Sequence, residues 1–291
     1  MAQPPAKTVK RFEEPQAPHV QEQPPQVHVQ APPPQVPPQA PPQQAPPQQA
    51  PWEFDANATA FAQEVIQAEP QPLYYQGVDT KVRMYSLTKG LQEDDREEPL
   101  LFVRKCQRQV WKDVLRDIDD KHTKTKHAVV SGNPGIGKSR SLTYFLRLLL
   151  KRGETVLFEC RKAPTVRYFQ PVEGGYRVYM RPIEDNIVNT VVKDKFLYKC
   201  LRNVDNWHLI DPAQASTSPP SYGSHVILAA SPNPAHFHDF AKGPYCRQFV
   251  MPAWREDELQ AIRQSTHDPC DHPRKSHRTV HLFWWHPSPC V

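Results

Sequence analysis

The apolar positions of residues 100–265 follow two spacings that alternate along the chain. Short apolar runs typical of buried strands fall at residues 127–130, 155–159, 207–211, 225–230 and 247–251. Before, between and after these runs, apolar residues recur at the spacing of one helix face, which predicts helices at residues 101–119, 138–152, 235–241 and 255–264. This alternating order predicts an α/β fold with a mainly parallel sheet and right-handed crossovers.

Two other regions carry weaker patterns. Residues 165–169 and 176–180 flank Glu-Gly-Gly, which predicts a hairpin inserted at the edge of the sheet. Ahead of residue 100, the pattern favours a helix at residues 59–68 and a strand at residues 81–85. We expect residues 52–99 to be a linker or a small N-terminal segment.

A glycine-rich turn joins the first apolar run of the core to a Leu-rich helix. It consists of Gly132, Asn133, Pro134, Gly135, Ile136, Gly137, Lys138 and Ser139, which fits the pattern G-x-x-x-x-G-K-[ST]. The backbone N–H groups of such a turn and the positive end of the following helix attract an anion. Lys138 supplies a charge for the β and γ phosphates, and Ser139 supplies a hydroxyl ligand for Mg²⁺. We call residues 132–139 the phosphate loop; the alternative interpretation is a turn before an ordinary helix.

A carboxylate at the end of a second strand would complete a magnesium site. Asp211 follows Trp-His-Leu-Ile, and we expect it to hold Mg²⁺ through water from a strand adjacent to the one that leads into the phosphate loop. The alternative is an acidic residue that caps its strand. The next residue is Pro212, where many ATPases have a glutamate that orients the attacking water, so hydrolysis is less well supported than binding.

Two further residues are candidates for orienting that water. Glu159 ends the second apolar run and is a candidate general base; the alternative is a solvated edge residue. Asn233, or Ser231 in its place, follows the fourth run and is a candidate contact for the γ-phosphate or the water. A proline-rich turn would also use Ser and Asn, so both interpretations stay open.

The joint order of these motifs resembles the ATPase region of the Crinkler effectors and of the related retrotransposon hot spot proteins. The resemblance covers roughly residues 100–265. It is carried by Leu101-Phe102-Val103-Arg104 ahead of Trp111, by Ser131 and the phosphate loop, and by residues 155–159, 207–212, 231–233, Met251-Pro252-Ala253-Trp254 and Glu258-Leu259. It implies a three-layer P-loop NTPase core of the additional-strand class, akin to AAA+ and STAND ATPases, that binds ATP and Mg²⁺. By analogy it implies delivery into a host as an effector, nucleic-acid binding and oligomerisation.

The composition changes sharply at Pro51. Sixteen of the 34 prolines lie at or before this residue, and residues 21–50 are almost entirely Pro, Gln, Ala and Val. Such a stretch has too little apolar surface to offset its ordering entropy, which predicts that residues 1–51 form a disordered, extended tether. The tether is compatible with two roles. It could be a plain spacer, or residues 21–51 could be a ligand for proline-motif-binding proteins.

Charge and cysteine content limit the range of cellular compartments and partners. The net charge of +5 permits contact with nucleic acid without arguing for it. Six scattered cysteines show no metal-type spacing, which favours reduced thiols in an intracellular protein, cytoplasmic or nuclear. No membrane-spanning run or ordinary signal peptide is present. Residues 266–291 are rich in His, Pro and Trp, which favours a disordered or truncated tail over a zinc site.

The sequence therefore predicts a Mg²⁺-dependent ATP-binding protein that hydrolyses ATP slowly or with the help of a partner. The alternative is a non-hydrolysing interaction protein that binds nucleotide and is recruited through its Pro/Gln-rich arm.

Overall fold

The computed structural model describes residues 52–88, 90–91, 100–160, 164–183, 187–211, 223–233 and 237–267. These residues all belong to one unit of the chain, Gln48–Val291. The predictions for the Pro/Gln-rich arm and for the tail beyond residue 267 lie outside the described residues.

The strands and helices of these segments are numbered in chain order. The strands are β1 (Glu53–Phe54), β2 (Gln71–Tyr75), β3 (Val78–Ser86), β4 (Leu100–Val103), β5 (His127–Ser131), β6 (Val156–Cys160), β7 (Thr165–Val172), β8 (Gly175–Pro182), β9 (Trp207–Asp211), β10 (His225–Ala229) and β11 (Cys246–Val250). The helices are α1 (Ala56–Gln67), α2 (Lys105–Asp119), α3 (Lys138–Lys151), α4 (Ile187–Lys193), α5 (Lys195–Arg202), α6 (His238–Ala241) and α7 (Glu256–His267).

Within the described residues, the strands form an eight-stranded sheet with the order β1-β8-β7-β6-β9-β10-β5-β11 and a three-stranded sheet with the order β2-β3-β4. In the large sheet, the neighbouring pairs β6-β9, β9-β10, β10-β5 and β5-β11 are all parallel. This confirms the predicted mainly parallel sheet. The predicted hairpin is β7-β8, which continues the sheet beyond β6 in the antiparallel sense. The short strand β1 pairs with its outer side.

Helices cover both faces of the large sheet. On one face, Phe158 of β6 belongs to the main core together with Phe145 of α3, and Trp111 of α2 stacks on Phe145 at a centroid distance of 4.5 Å. On the other face, Leu157 packs with Leu197 of α5. Because successive side chains of a strand point to opposite faces, alternate residues of β6 face α3 and α5.

Residues 52–99 were expected to be a linker or a small N-terminal segment, and the described residues 52–88 pack on the core as a small segment would. Strand β1 pairs with β8. Helix α1, which overlaps the predicted helix at residues 59–68 up to Gln67, places Phe61 and Val65 in the main core. The predicted strand at residues 81–85 lies within β3. The segment therefore completes the main sheet and also begins the small one.

The small sheet carries α7 on one side. Leu73, Val82 and Met84 of its strands bury Ala261 of α7 in one apolar cluster. The prediction of a helix from residue 101 was wrong at its start, because residues 100–103 pair with β3 as strand β4. Arg104 has an extended backbone conformation, φ −76° and ψ 160°, and separates that strand from α2.

Helices α4 and α5 were not predicted. Leu197, Cys200 and Leu201 form the buried side of α5, a spacing that the eight residues of this helix repeat too briefly to be recognised. In the described part of the chain, no helix has the length and apolar character needed to cross a membrane.

Candidate phosphate-binding site

The phosphate loop connects the buried strand β5 to the N-terminus of α3, as the sequence predicted. Gly132 has φ +148°, and a Cβ atom there would lie 2.6 Å from the carbonyl oxygen of Met251 and would also overlap the Ile136 side chain. Gly137 has φ +85° and precedes the first residue of α3. Both positions require glycine, because an L side chain rarely adopts such a backbone and has no space at residue 132.

The Lys138 side chain folds back over the loop. Its Nζ donates hydrogen bonds to the carbonyl oxygens of Gly132 at 2.7 Å and Asn133 at 2.9 Å. Burial lowers the pKa of Lys138, and the nearby Asp211 carboxylate opposes part of that shift. The ammonium group is therefore held at the mouth of a turn whose outer residues, Asn133 to Gly135, are exposed.

Ser139 and Asp211 meet directly. The Ser139 Oγ donates a hydrogen bond of 2.7 Å to Asp211 Oδ1, and Asp211 ends β9 with its side chain nearly buried. The sequence predicted that the strand leading into the phosphate loop is adjacent to the strand that ends at Asp211. This was wrong, because β10 lies between β5 and β9. The contact forms because α3 begins at the carboxyl edge of the sheet, above the intervening strand.

The residues after β10 lie at the same edge. Ala230 donates its N–H to the Val130 carbonyl at 3.0 Å, so β10 stays beside β5 up to the start of the phosphate loop. Ser231 is half-buried and Asn233 is exposed. The structure therefore brings these two predicted residues to the edge that also holds Lys138, Ser139 and Asp211.

Glu159 lies elsewhere. It is buried on β6, and β9 and β10 separate β6 from β5, a spacing of about 14 Å between strand axes at about 4.8 Å per step. Its carboxylate lies 3.2 Å from His208 Nε2, on the face of the sheet that Leu157 shares with α5. The catalytic role of Glu159 stays a prediction, and this geometry does not favour it.

The segment Met251–Trp254 backs the phosphate loop, a contact that sequence reasoning missed. Met251 donates its N–H to the Ser131 carbonyl at 2.8 Å. A Cβ atom at Gly137 would lie 3.9 Å from the Trp254 ring and 3.5 Å from Gln107 Nε2 of α2. The resemblance had marked this segment, but no local pattern places it against the loop.

The oxygen atoms of Ser139 and Asp211 suit magnesium. Mg²⁺ keeps several waters and is bound by one or two protein oxygens together with substrate phosphates. Among the residues that the structure describes, no group of three or more His, Cys, Asp and Glu side chains is placed to hold a metal ion. The Ser139–Asp211 pair fits a site of this kind, because it places one carboxylate and one hydroxyl together beside the phosphate loop.

Comparisons of this chain with protein-family models, with curated proteins and with solved structures find no match.

Proposed function

We propose that this protein binds ATP with Mg²⁺ in the phosphate loop and hydrolyses it slowly or with the help of a partner. The observation that carries the proposal is the 2.7 Å hydrogen bond between Ser139 and Asp211. It brings together the two oxygen ligands that the sequence had assigned to Mg²⁺ independently, from segments 72 residues apart.

The other residues of the site supply charge and backbone donors. Lys138 lies within reach of anions that enter the loop, and α3 points its positive dipole end at the same place. The chemistry that Mg²⁺ would supply here is positive charge that offsets the negative charge of the phosphates. Ser139 would coordinate Mg²⁺ directly and Asp211 through water, while Lys138 would neutralise the terminal phosphates.

The strand order supports a P-loop NTPase core of the additional-strand class. Strand β10 lies between the strand that precedes the phosphate loop and the strand that ends in Asp211, and in this proposal it is the additional strand. The resemblance to the Crinkler and retrotransposon hot spot ATPases implied this class, so the topology favours that resemblance. Recruitment through residues 21–51 and binding of nucleic acid stay predictions.

The arrangement favours weak hydrolysis. Asn233 follows β10 at the edge occupied by the phosphate loop, and we assign it to the attacking water or the γ-phosphate. A carboxylate is a stronger base than an amide, and Glu159 is paired with His208 two strands further away. Turnover without a partner is therefore slow in this proposal.

The second candidate function is a nucleotide-binding interaction protein without turnover. The burial of Glu159 against His208 favours this candidate, because it keeps the carboxylate away from the phosphate loop. A partner that supplies a missing charge or base would distinguish a dormant ATPase from this module, because only the ATPase would then release phosphate.

Titration calorimetry with MgATP and MgGTP tests the binding proposal. We expect the wild type to bind MgATP and Lys138→Ala to lose at least about tenfold in affinity, as loss of a charge-assisted contact predicts. Lys151→Ala, at the opposite end of α3, is the matched control and should bind like the wild type. A folded wild-type protein that takes up neither nucleotide would refute the proposal.

Phosphate release separates the two candidate functions. Turnover in the wild type that disappears in Lys138→Ala supports the ATPase. Retained MgATP with no phosphate released, with or without cell extract as a source of partners, supports the interaction module.

A further inference from the structure

Arg104 is the residue at which the phosphate loop, α2 and the segment before α7 meet. It lies between β4 and α2, and its side chain is fully buried. Its Nη1 donates to the Ala253 carbonyl at 2.8 Å, and its Nη2 donates to the Pro252 carbonyl at 2.9 Å and to the Ile136 carbonyl at 3.3 Å. One guanidinium thus joins the phosphate loop to residues 252 and 253.

Two further contacts connect Arg104 to α7. Its guanidinium lies over the Trp254 ring, 4.3 Å from the centroid, and Nη1 lies 3.8 Å from Glu258 Oε2. The same Glu258 oxygen accepts the N–H of Arg255 at 2.9 Å, a bond that caps the start of α7. Arg104 therefore contacts the carboxylate that also fixes the first turn of this helix.

A buried guanidinium is a costly way to fill space. Removing a charge from water is unfavourable unless it is paired and hydrogen-bonded, and among the described residues Arg104 Nε has no hydrogen-bond partner. A methionine or leucine would fill the same volume without that cost. What the guanidinium adds is a set of directed bonds, so its contribution is to fix the position of the groups that it contacts.

The bond to Ile136 fixes the direction of a donor in the phosphate loop. A peptide unit is planar, and the described residues contain no cis bond, so the Ile136 C=O and the Gly137 N–H point in opposite directions. Arg104 holds that carbonyl toward the buried side. The Gly137 N–H consequently points away from Arg104 and from the buried side of the loop.

We infer that Arg104 is a positioning residue that orients the Gly137 N–H for phosphate binding and couples the occupancy of the phosphate loop to the docking of α7 on the small sheet. The inference rests on the proposed function for its ligand. Coupling between two sites is reciprocal: a bound nucleotide stabilises the contacts of residues 252–258, and weakening those contacts lowers nucleotide affinity.

The first test uses the full chain and the non-hydrolysable analogue AMP-PNP with Mg²⁺. In the wild type, we expect the analogue to slow amide hydrogen exchange in α7. Arg104→Lys retains the charge but replaces the two bonding nitrogens of the planar guanidinium with one ammonium nitrogen. Its affinity should therefore fall at least about tenfold, and α7 should no longer respond to the analogue. Arg108→Met is the control, because Arg108 bonds the Val103 carbonyl from the next turn of α2; it should behave like the wild type.

A second variant tests the coupling from the other end. Glu258→Gln keeps the size of the side chain and lies outside the phosphate loop, so a weakened affinity for Mg²⁺·AMP-PNP in this folded variant would be the reciprocal effect. Wild-type affinity in both Arg104→Lys and Glu258→Gln, or an α7 response in Arg104→Lys equal to that of the wild type, would overturn the inference. Absence of binding by the wild type would instead overturn the proposed function, and the two failures are therefore distinguishable.

Discussion

Glu159 and His208 form a buried pair across two neighbouring parallel strands, with 3.2 Å between Glu159 Oε2 and His208 Nε2. Both side chains are almost completely excluded from solvent. A buried polar group that loses its partner destabilises the fold, so this pair has a clear structural contribution whatever its part in chemistry.

We expect Glu159→Leu to reduce the free energy of unfolding by about 1–3 kcal/mol, because it leaves His208 Nε2 without this partner. Its affinity for MgATP should stay near that of the wild type, since two strands separate Glu159 from β5. Urea unfolding and calorimetry measure the two quantities. Glu173→Leu, an exposed position in the β7–β8 turn, is the control; a large loss of phosphate release in folded Glu159→Gln would restore Glu159 as the catalytic base.

Asp211→Asn should remove the magnesium dependence of ATP binding. The amide oxygen of the variant can still accept the Ser139 hydrogen bond, so the fold should be retained while the negative charge that attracts Mg²⁺ is lost. Calorimetry of ATP with Mg²⁺ and with EDTA measures the difference. Asp205→Asn, exposed before β9, should keep the wild-type response to Mg²⁺, and an equal response in Asp211→Asn would exclude Asp211 from the metal site.

Gly132→Ala should distort the phosphate loop. The added Cβ would lie 2.6 Å from the Met251 carbonyl oxygen on a backbone that L residues rarely adopt, and we expect a loss of about 2–4 kcal/mol in unfolding free energy together with loss of MgATP binding. Gly153 is the control, because its φ is +77° but nothing lies within 4 Å of an added Cβ. Gly153→Ala should therefore lose about 1 kcal/mol of unfolding free energy and bind MgATP normally. Similar melting curves for the two variants would contradict the predicted clash.

The stability of the protein should fall between pH 6.5 and pH 4 partly because of His127. Burial, with smaller effects of His225 and Lys126, lowers the pKa of His127 from 6.5 to about 4. The unfolded chain therefore binds a proton in this window that the folded chain resists, and stability is lost as the pH falls. The loss is about 3 kcal/mol at most.

His127→Gln tests this dependence by chemical unfolding at several pH values. The variant should lose less stability than the wild type between pH 6.5 and pH 4, while the two proteins should show parallel behaviour above pH 7. Burial also lowers the pKa of the neighbouring His225, so part of the dependence should remain in the variant. Identical slopes for both proteins throughout the acid range would contradict the assignment to His127.

The central sheet was largely predictable because its signals are local. The apolar runs that became β5, β6, β9 and β10 are short and buried, and a parallel sheet requires such runs. The phosphate loop could be located for the same reason, since strand, glycines and helix are contiguous. By contrast, the order of the strands depends on the whole chain. For this reason the predicted adjacency of β5 and β9 was wrong.

The contacts of Arg104 and Glu159 could not be predicted from spacing. Arg104 bonds residues 148 and 149 positions further along the chain, and periodicity carries no information on such pairs. His208 interrupts the apolar run of β9, which signalled a polar contact on that strand without identifying its partner. Strand β4 was assigned to a helix because four apolar residues are too few to distinguish the two periods.

The dependence of the small sheet on α7 has a consequence for synthesis of the chain. Leu73, Val82 and Met84 are made early, whereas Ala261, which packs on them, emerges from the ribosome only after all the strands of the large sheet. Until then the nascent polypeptide displays an uncovered apolar surface of the kind that chaperones recognise. Protein shortened before Glu256 should consequently aggregate during expression even though every strand of its central sheet is present.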